Sequence, residues 1–326
     1  MPSIPALRIG AALLGATAVL GALGASSAAA FPTSTPLDHF ADATAITAGR
    51  GSVAVAVGSD NTGDGLRALY VGHAGKLEAA KGVGRLPGWA QPHVGIDAHQ
   101  KTVVLYPRCT EEDRPNTCRL YQYEVLGQEE RAVPQLAGRR GVLEGAMDHG
   151  NLAYTTYDAA QPKWRTGQRR LFFLGKGAKV AKQISARGAV GLAIQGGRVA
   201  QIRNVEPDYG VCGRPRLETV PTRGGAATKI AETGCGLDGQ SFASPAFQGN
   251  TLIWLYTSTP KDELRRYDLT TRTTERAPIG GDPLAYAATS ATGGYLLDDD
   301  QSGDPAEENP EAVIYRESTI TWQAAR

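Results

Sequence analysis

The sequence has almost no surplus of charge of either sign: 34 basic side chains face 33 acidic ones, for a formal charge of +1. Holding a polyanion such as nucleic acid takes a basic excess, so nucleic acid is not expected as a partner. Apolar stripes at helical spacing are missing, which argues against a helix bundle. No H-E-x-x-H, G-x-S-x-G or G-x-x-x-x-G-K pattern occurs, so the usual local signatures of metalloproteases, serine hydrolases and phosphate-cradling loops are absent. A catalytic triad assembled from distant segments would leave no such trace. What the chain has in quantity is glycine, at 40 residues, with 41% hydrophobic and 21% charged residues. That balance supplies a packed core and points to many short strands joined by many turns.

Residues 1–30 hold one charge, Arg8, an apolar run over 9–25 and the small-residue ending Ser26-Ser27-Ala28-Ala29-Ala30. This reads as a secretory signal peptide cleaved after Ala30, the alternative being a retained anchor. No later stretch reaches spanning length, so no membrane span is expected after cleavage, and the location is secreted or cell-envelope associated. Without the leader the charges balance, at 33 of each sign. The four cysteines fall in two local pairs, Cys109 with Cys118 and Cys212 with Cys235. In an oxidising compartment they read as two disulfides; a four-thiolate zinc site lacks C-x-x-C spacing.

A repeat runs through residues 31–326. Apolar segments at 52–57, 102–106, 152–157, 198–202, 251–256 and 294–297 each precede a partner at 66–70, 119–123, 170–174, 216–220, 264–268 and 312–316. Most alternate apolar with polar or small residues at the strand period of two. With flanking strands they outline six units, at about 44–85, 93–138, 143–186, 189–233, 241–280 and 284–322. A four-stranded unit cannot cover both its apolar faces alone, so neighbours stack, and the expected fold is all-β: one six-bladed β-propeller with four antiparallel strands per blade. Residues 31–43 precede the first blade and are placed to add a strand to the last. A two-domain sandwich is the competing architecture.

Residues 249–254 (GNTLIW) followed by 264–271 (LRRYDLTT) resemble a blade of the TolB-like, WD40-like propeller class. In place of the Ser-Pro-Asp-Gly turn common there, this chain has Gln195-Gly196-Gly197 and Gln248-Gly249-Asn250. The resemblance implies an envelope-side or secreted recognition scaffold and implies no catalytic residue.

Connections between second and third strands are the long ones, and in a propeller they emerge on one face, the natural place for binding. They carry the candidate binding residues Tyr157, Trp164, Arg165 and Tyr209, aromatic and basic groups suited to a protein or glycan at the cell surface. Asp298, Asp300, Ser302 and Asp304 place oxygen donors at alternating positions, with Gly303 sixth, and partly resemble a calcium loop. Asn309 stands where that loop has a bidentate Glu, and the competing reading is a solvated acidic hairpin tip. His99 and His149 share their spacing with Gln195 and Gln248 and read as turn polarity, whereas His39 and His93 have no counterpart. Trp254 reads as core. The expected function is a non-catalytic binding scaffold; the alternative is an extracellular propeller enzyme, calcium-assisted or carbohydrate-active.

Overall fold

A computed structural model describes residues 35–41, 45–49, 53–59, 66–73, 76–111, 114–157, 169–186, 190–204, 214–234, 240–258, 262–279, 283–290, 293–300, 311–316, 320 and 322–324. The leader, Cys212, Cys235, Trp164, Arg165, Tyr209, Ser302 and Asp304 lie outside these residues. Among the described residues the structure is strand, interrupted by two single-turn 3-10 helices, Pro115–Thr117 and Pro134–Leu136. Each opens on a proline, whose fixed φ and missing N–H suit a first helical position. Among the described residues no helix is long and apolar enough to cross a membrane.

Strand β1 (Thr35–Ala41) pairs with no neighbour in sequence. The first sheet takes β2 (Ala45–Gly49), β3 (Val53–Ser59), β4 (Leu66–His73) and β5 (Lys76–Ala79) in order, with β6 (Leu86–Pro87) added to β4. The second holds β7 (His93–Ile96), β8 (Thr102–Arg108), β9 (Arg119–Glu124) and β10 (Glu129–Ala132). The third holds β11 (Val142–Asp148), β12 (Asn151–Tyr157), β13 (Arg169–Leu174) and β14 (Lys182–Ser185). The fourth holds β15 (Val190–Gln195), β16 (Arg198–Asn204), β17 (Pro215–Pro221) and β18 (Thr228–Glu232). The fifth holds β19 (Ser241–Gln248), β20 (Thr251–Thr257), β21 (Glu263–Asp268) and β22 (Thr274–Pro278). The last holds β23 (Pro283–Ser290), β24 (Gly293–Asp300) and β25 (Glu311–Arg316), and β26 (Gln323–Ala324) follows.

All pairings are antiparallel, and β1 returns to complete the last sheet against β25, with Thr35 opposite Arg316 and Ala41 opposite Glu311. The sequence reading gave that sheet a fourth strand of its own near residue 322. Instead the C-terminal β26 pairs β22 in the fifth sheet, with Arg276 opposite Gln323. The acidic segment also differs from the expected loop: β24 runs on through Asp300, with Asp298 opposite Val313 and Asp300 opposite Glu311.

The core lies between sheets, and the second strands show why. In β8, Val104 and Tyr106 face the first sheet with Leu69 and Leu86, while Val103 and Leu105 face the third with Leu152 and Tyr154. In β20, Leu252 and Trp254 join the fourth sheet, and Ile253 and Leu255 turn the other way. Alternation at period two thus feeds two interfaces from one strand, which makes it apolar throughout. Trp254 is fully buried. The Cys109–Cys118 disulfide closes the connection between β8 and β9. A loop this short contributes about 2–3 kcal/mol by restricting the unfolded chain.

Candidate functional site: an axial cavity

The first strands pack side by side in chain order, from β2 through β7, β11, β15 and β19 to β23, and β23 returns to β2. They enclose an axis. The packing is close enough to demand glycine: a Cβ on Gly95 of β7 would stand 2.4 Å from the Met147 carbonyl oxygen of β11. Bulges interrupt β11, β15 and β19 near their starts, and at two of them the backbone enters the left-handed region, with φ of +60° at Gly191 and +50° at Ser244. Bulges re-aim the groups beside them, and strained backbone of this kind concentrates at functional sites.

Toward the starts of these strands the axis narrows to about 60 Å³, bordered by Thr47, His93, Glu144, Gly191, Ser244 and Ala287, one residue from each first strand. Glu144 is 3% exposed. Its Oε1 accepts the Leu192 N–H at 2.7 Å, and the Gly191 N–H also donates to the carboxylate, so the β15 bulge presents two amides to the neighbouring sheet. Its Oε2 has no hydrogen-bond partner and lies 3.7 Å from Nη1 of the largely buried Arg169. Burial raises the Glu144 pKa, opposed by Arg169 and the two amides. Burial likewise lowers the pKa of Arg169. His93 shares this end; its Nδ1 is enclosed with no partner, and desolvation lowers its pKa to about 4. Imidazole there is neutral near pH 7.

Toward the ends of the same strands the axis opens into a cavity of about 410 Å³, reached by residues of β2, β7, β11, β15 and β19. Asp148, His149, Gln195 and Gln248 line it, polar groups make up most of its exposed surface, and the neighbouring Met147, Ile194 and Phe247 pack into the cores between sheets. The register corrects the alignment of His149 with the two glutamines. Asp148 opposite Asn151, Gln195 opposite Arg198 and Gln248 opposite Thr251 are the equivalent closing pairs. His149 sits one residue further, inside a two-residue turn, at φ +51°. Its Nδ1 is 2.5 Å from Asp148 Oδ1. His99 lies in a longer turn held by Asp97, whose Oδ1 accepts the His99 and Lys101 N–H groups at 2.8 and 2.9 Å.

Of the candidate binding residues, Tyr157 is described. It ends β12 opposite Arg169, half-buried, and its N–H donates to Gly141 O at 2.8 Å, placing it at the narrow end of the axis. Sequence reasoning missed Glu144, Arg169 and the Asp148 rim. The signal for the rim was present in the two-residue hairpins; for Glu144 it was a lone acid inside an apolar strand, easily passed over. Among the described residues no cluster of three or more His, Cys, Asp or Glu is arranged to hold a metal ion. Asp298 and Asp300 stand at the end of β24.

The sequence matches no protein-family model and no characterised relative. Solved structures share the fold. TolB from Acinetobacter baumannii superposes with a TM-score of 0.51 at 9% identity, over 82% of this chain and 65% of its own. This chain thus spans less than two thirds of that TolB. A chain of the mitotic checkpoint complex superposes with a TM-score of 0.50 at 12% identity, over 95% of this chain and 99% of its own. The β-propeller domain of the trilobed protease from Pyrococcus furiosus gives 0.47 at 10% identity, over 87% and 81%. Antiparallel sheets packed face to face, with first strands around an axis, have the β-propeller fold, and the superpositions on TolB and the mitotic checkpoint chain show a shared fold.

Proposed function

We propose that this chain is an exported, six-bladed propeller acting as a non-catalytic binding scaffold. The leader at 1–30 and the Cys109–Cys118 disulfide support an extracytoplasmic location, secreted or attached to the envelope. Six blades rest on the return of β23 to β2 and of β1 to β25. The observation that carries the binding role is the axial cavity of about 410 Å³, lined largely by polar groups at the strand ends and in the size range of ligand sites. Its partner is a protein or glycan at the cell surface that inserts a small group. Tyr157 leads into the connection whose sequence bears Trp164 and Arg165, and with Tyr209 these residues are the candidates for a second contact region.

Glycan and peptide arrays probed with the full-length protein test this. A ligand is retained by the wild type, lost with Gln195→Ala/Gln248→Ala, and recovered chemically unchanged. A specific observation favours a second reading: Glu144, whose Oε2 faces the Arg169 guanidinium at 3.7 Å without a hydrogen bond, and His93, with a ring nitrogen lacking a hydrogen bond, both border the narrow end of the axis. Groups with shifted pKa in a cleft suit acid–base chemistry. Turnover of the captured ligand, abolished by Glu144→Gln, overturns the non-catalytic reading. Calcium belongs to this second reading, through Asp298, Asp300, Ser302 and Asp304. A calcium-dependent rise in Tm that disappears with Asp300→Asn supports it, and an unchanged Tm removes it.

A further inference from the structure

A second cavity, of about 480 Å³, lies off the axis between the fourth and fifth sheets, on the face that carries the short hairpin turns. It is bordered by Arg198 after the β15–β16 turn, Arg223 in the β17–β18 turn and Arg272 in the β21–β22 turn. No carboxylate lines it, and among the described residues none pairs with these three guanidinium groups. The acids nearest in sequence to Arg272 are engaged elsewhere: Glu275 pairs with Arg266, and Asp268 accepts the Thr270 and Thr271 N–H groups at 2.7 and 2.8 Å. A further cation stands at the edge: the Lys182 ammonium of the third sheet donates to the Arg223 carbonyl oxygen. In a chain whose total charge is near zero, three arginines facing one cavity without a counter-charge form a local positive field that draws an anionic group.

We propose that this cavity binds an acidic oligosaccharide, independently of the axial cavity. Guanidinium forks suit carboxylate and sulfate groups through paired N–H donors. The remaining lining offers a sugar the exposed Thr228 hydroxyl and the edge of Tyr267, whose ring is otherwise packed against the neighbouring core. An acidic peptide would be served by the charges alone and has no use for the aromatic and hydroxyl groups.

Calorimetric titration of the full-length protein with hexasaccharides of hyaluronan, alginate and chondroitin sulfate tests the inference. At least one binds at low ionic strength, its affinity falls as salt is raised, and its methyl ester, also desulfated in the case of chondroitin sulfate so that no anionic group remains, does not bind. Arg198→Glu/Arg223→Glu weakens binding roughly tenfold or more, since charge reversal turns attraction into repulsion. Both side chains are exposed, so Tm stays at the wild-type value. Arg140→Glu, exposed beyond the Pro134–Leu136 turn on the opposite face, leaves binding intact. Three results overturn the proposal: no binding by any of the three, equal binding by the double variant, or equal binding of hexaglutamate lost with the same variants, which assigns the cavity to an acidic peptide.

Discussion

Second strands and first strands are neighbours in every hairpin, yet they divide the work of the molecule. Along β8, β12, β16 and β20 the central side chains are buried and mostly apolar, shared between two sheet interfaces, with Thr155, Thr156 and Gln201 as buried polar exceptions. Along β11, β15 and β19 the chain bulges, turns left-handed at Gly191 and Ser244, and buries the Glu144 carboxylate, whereas β7 keeps an unbroken register. The second strands supply the packed interfaces and the first strands line the axis, because a strand that lines an axis has neighbours on both sides but open space in front.

The largest effect should come from breaking a second strand. Trp254→Ala empties the interface between the fourth and fifth sheets and should cost about 3–5 kcal/mol in denaturant unfolding. If the loss is under 1 kcal/mol, roughly a surface effect, β20 is not the load its burial implies.

Next comes the titration of a first-strand group. The folded pKa of His93 lies near 4, below its unfolded value of 6.5. Its contribution is therefore complete above pH 6.5 and lost as pH falls through about 4, because the unfolded chain takes up the proton first. The difference amounts to at most about 3 kcal/mol. His93→Leu should unfold with a flatter profile over that window, and an identical slope in both proteins would place the ring in water. Glu144 acts oppositely: its raised pKa means stability present below 4.5 and lost as pH rises through the folded value. The wild-type minus His93→Leu difference isolates the imidazole.

A smaller effect sharpens the claim that the hub is crowded. Gly95→Ala puts a methyl 2.4 Å from the Met147 backbone oxygen, which cannot rotate away, and should cost about 1–3 kcal/mol by overpacking. Tm equal to the wild type would mean that β7 and β11 separate freely.

How much of this could be read beforehand follows the same division. Segments 102–106, 152–157 and 251–256 were found within one or two residues of β8, β12 and β20, because their burial depends only on local alternation. The axial site was far less legible. His93 stood out for lacking a counterpart, Tyr157 was placed by its loop, and Glu144 was not noticed. The rim was misaligned by one residue because spacing from a glycine cannot register a bulge, and each first strand with a bulge gains a residue before its turn.

The sequence by itself determined the strand repeat and the local pairing of Cys109 with Cys118, since both are set by residues close together in the chain. Only the tertiary structure decided that the C-terminal β26 pairs β22, that Glu144 reaches the amides of Gly191 and Leu192, and that Arg198, Arg223 and Arg272 face one cavity. Such contacts join segments from separate sheets. They exist only after the sheets pack against one another to remove their apolar faces from water.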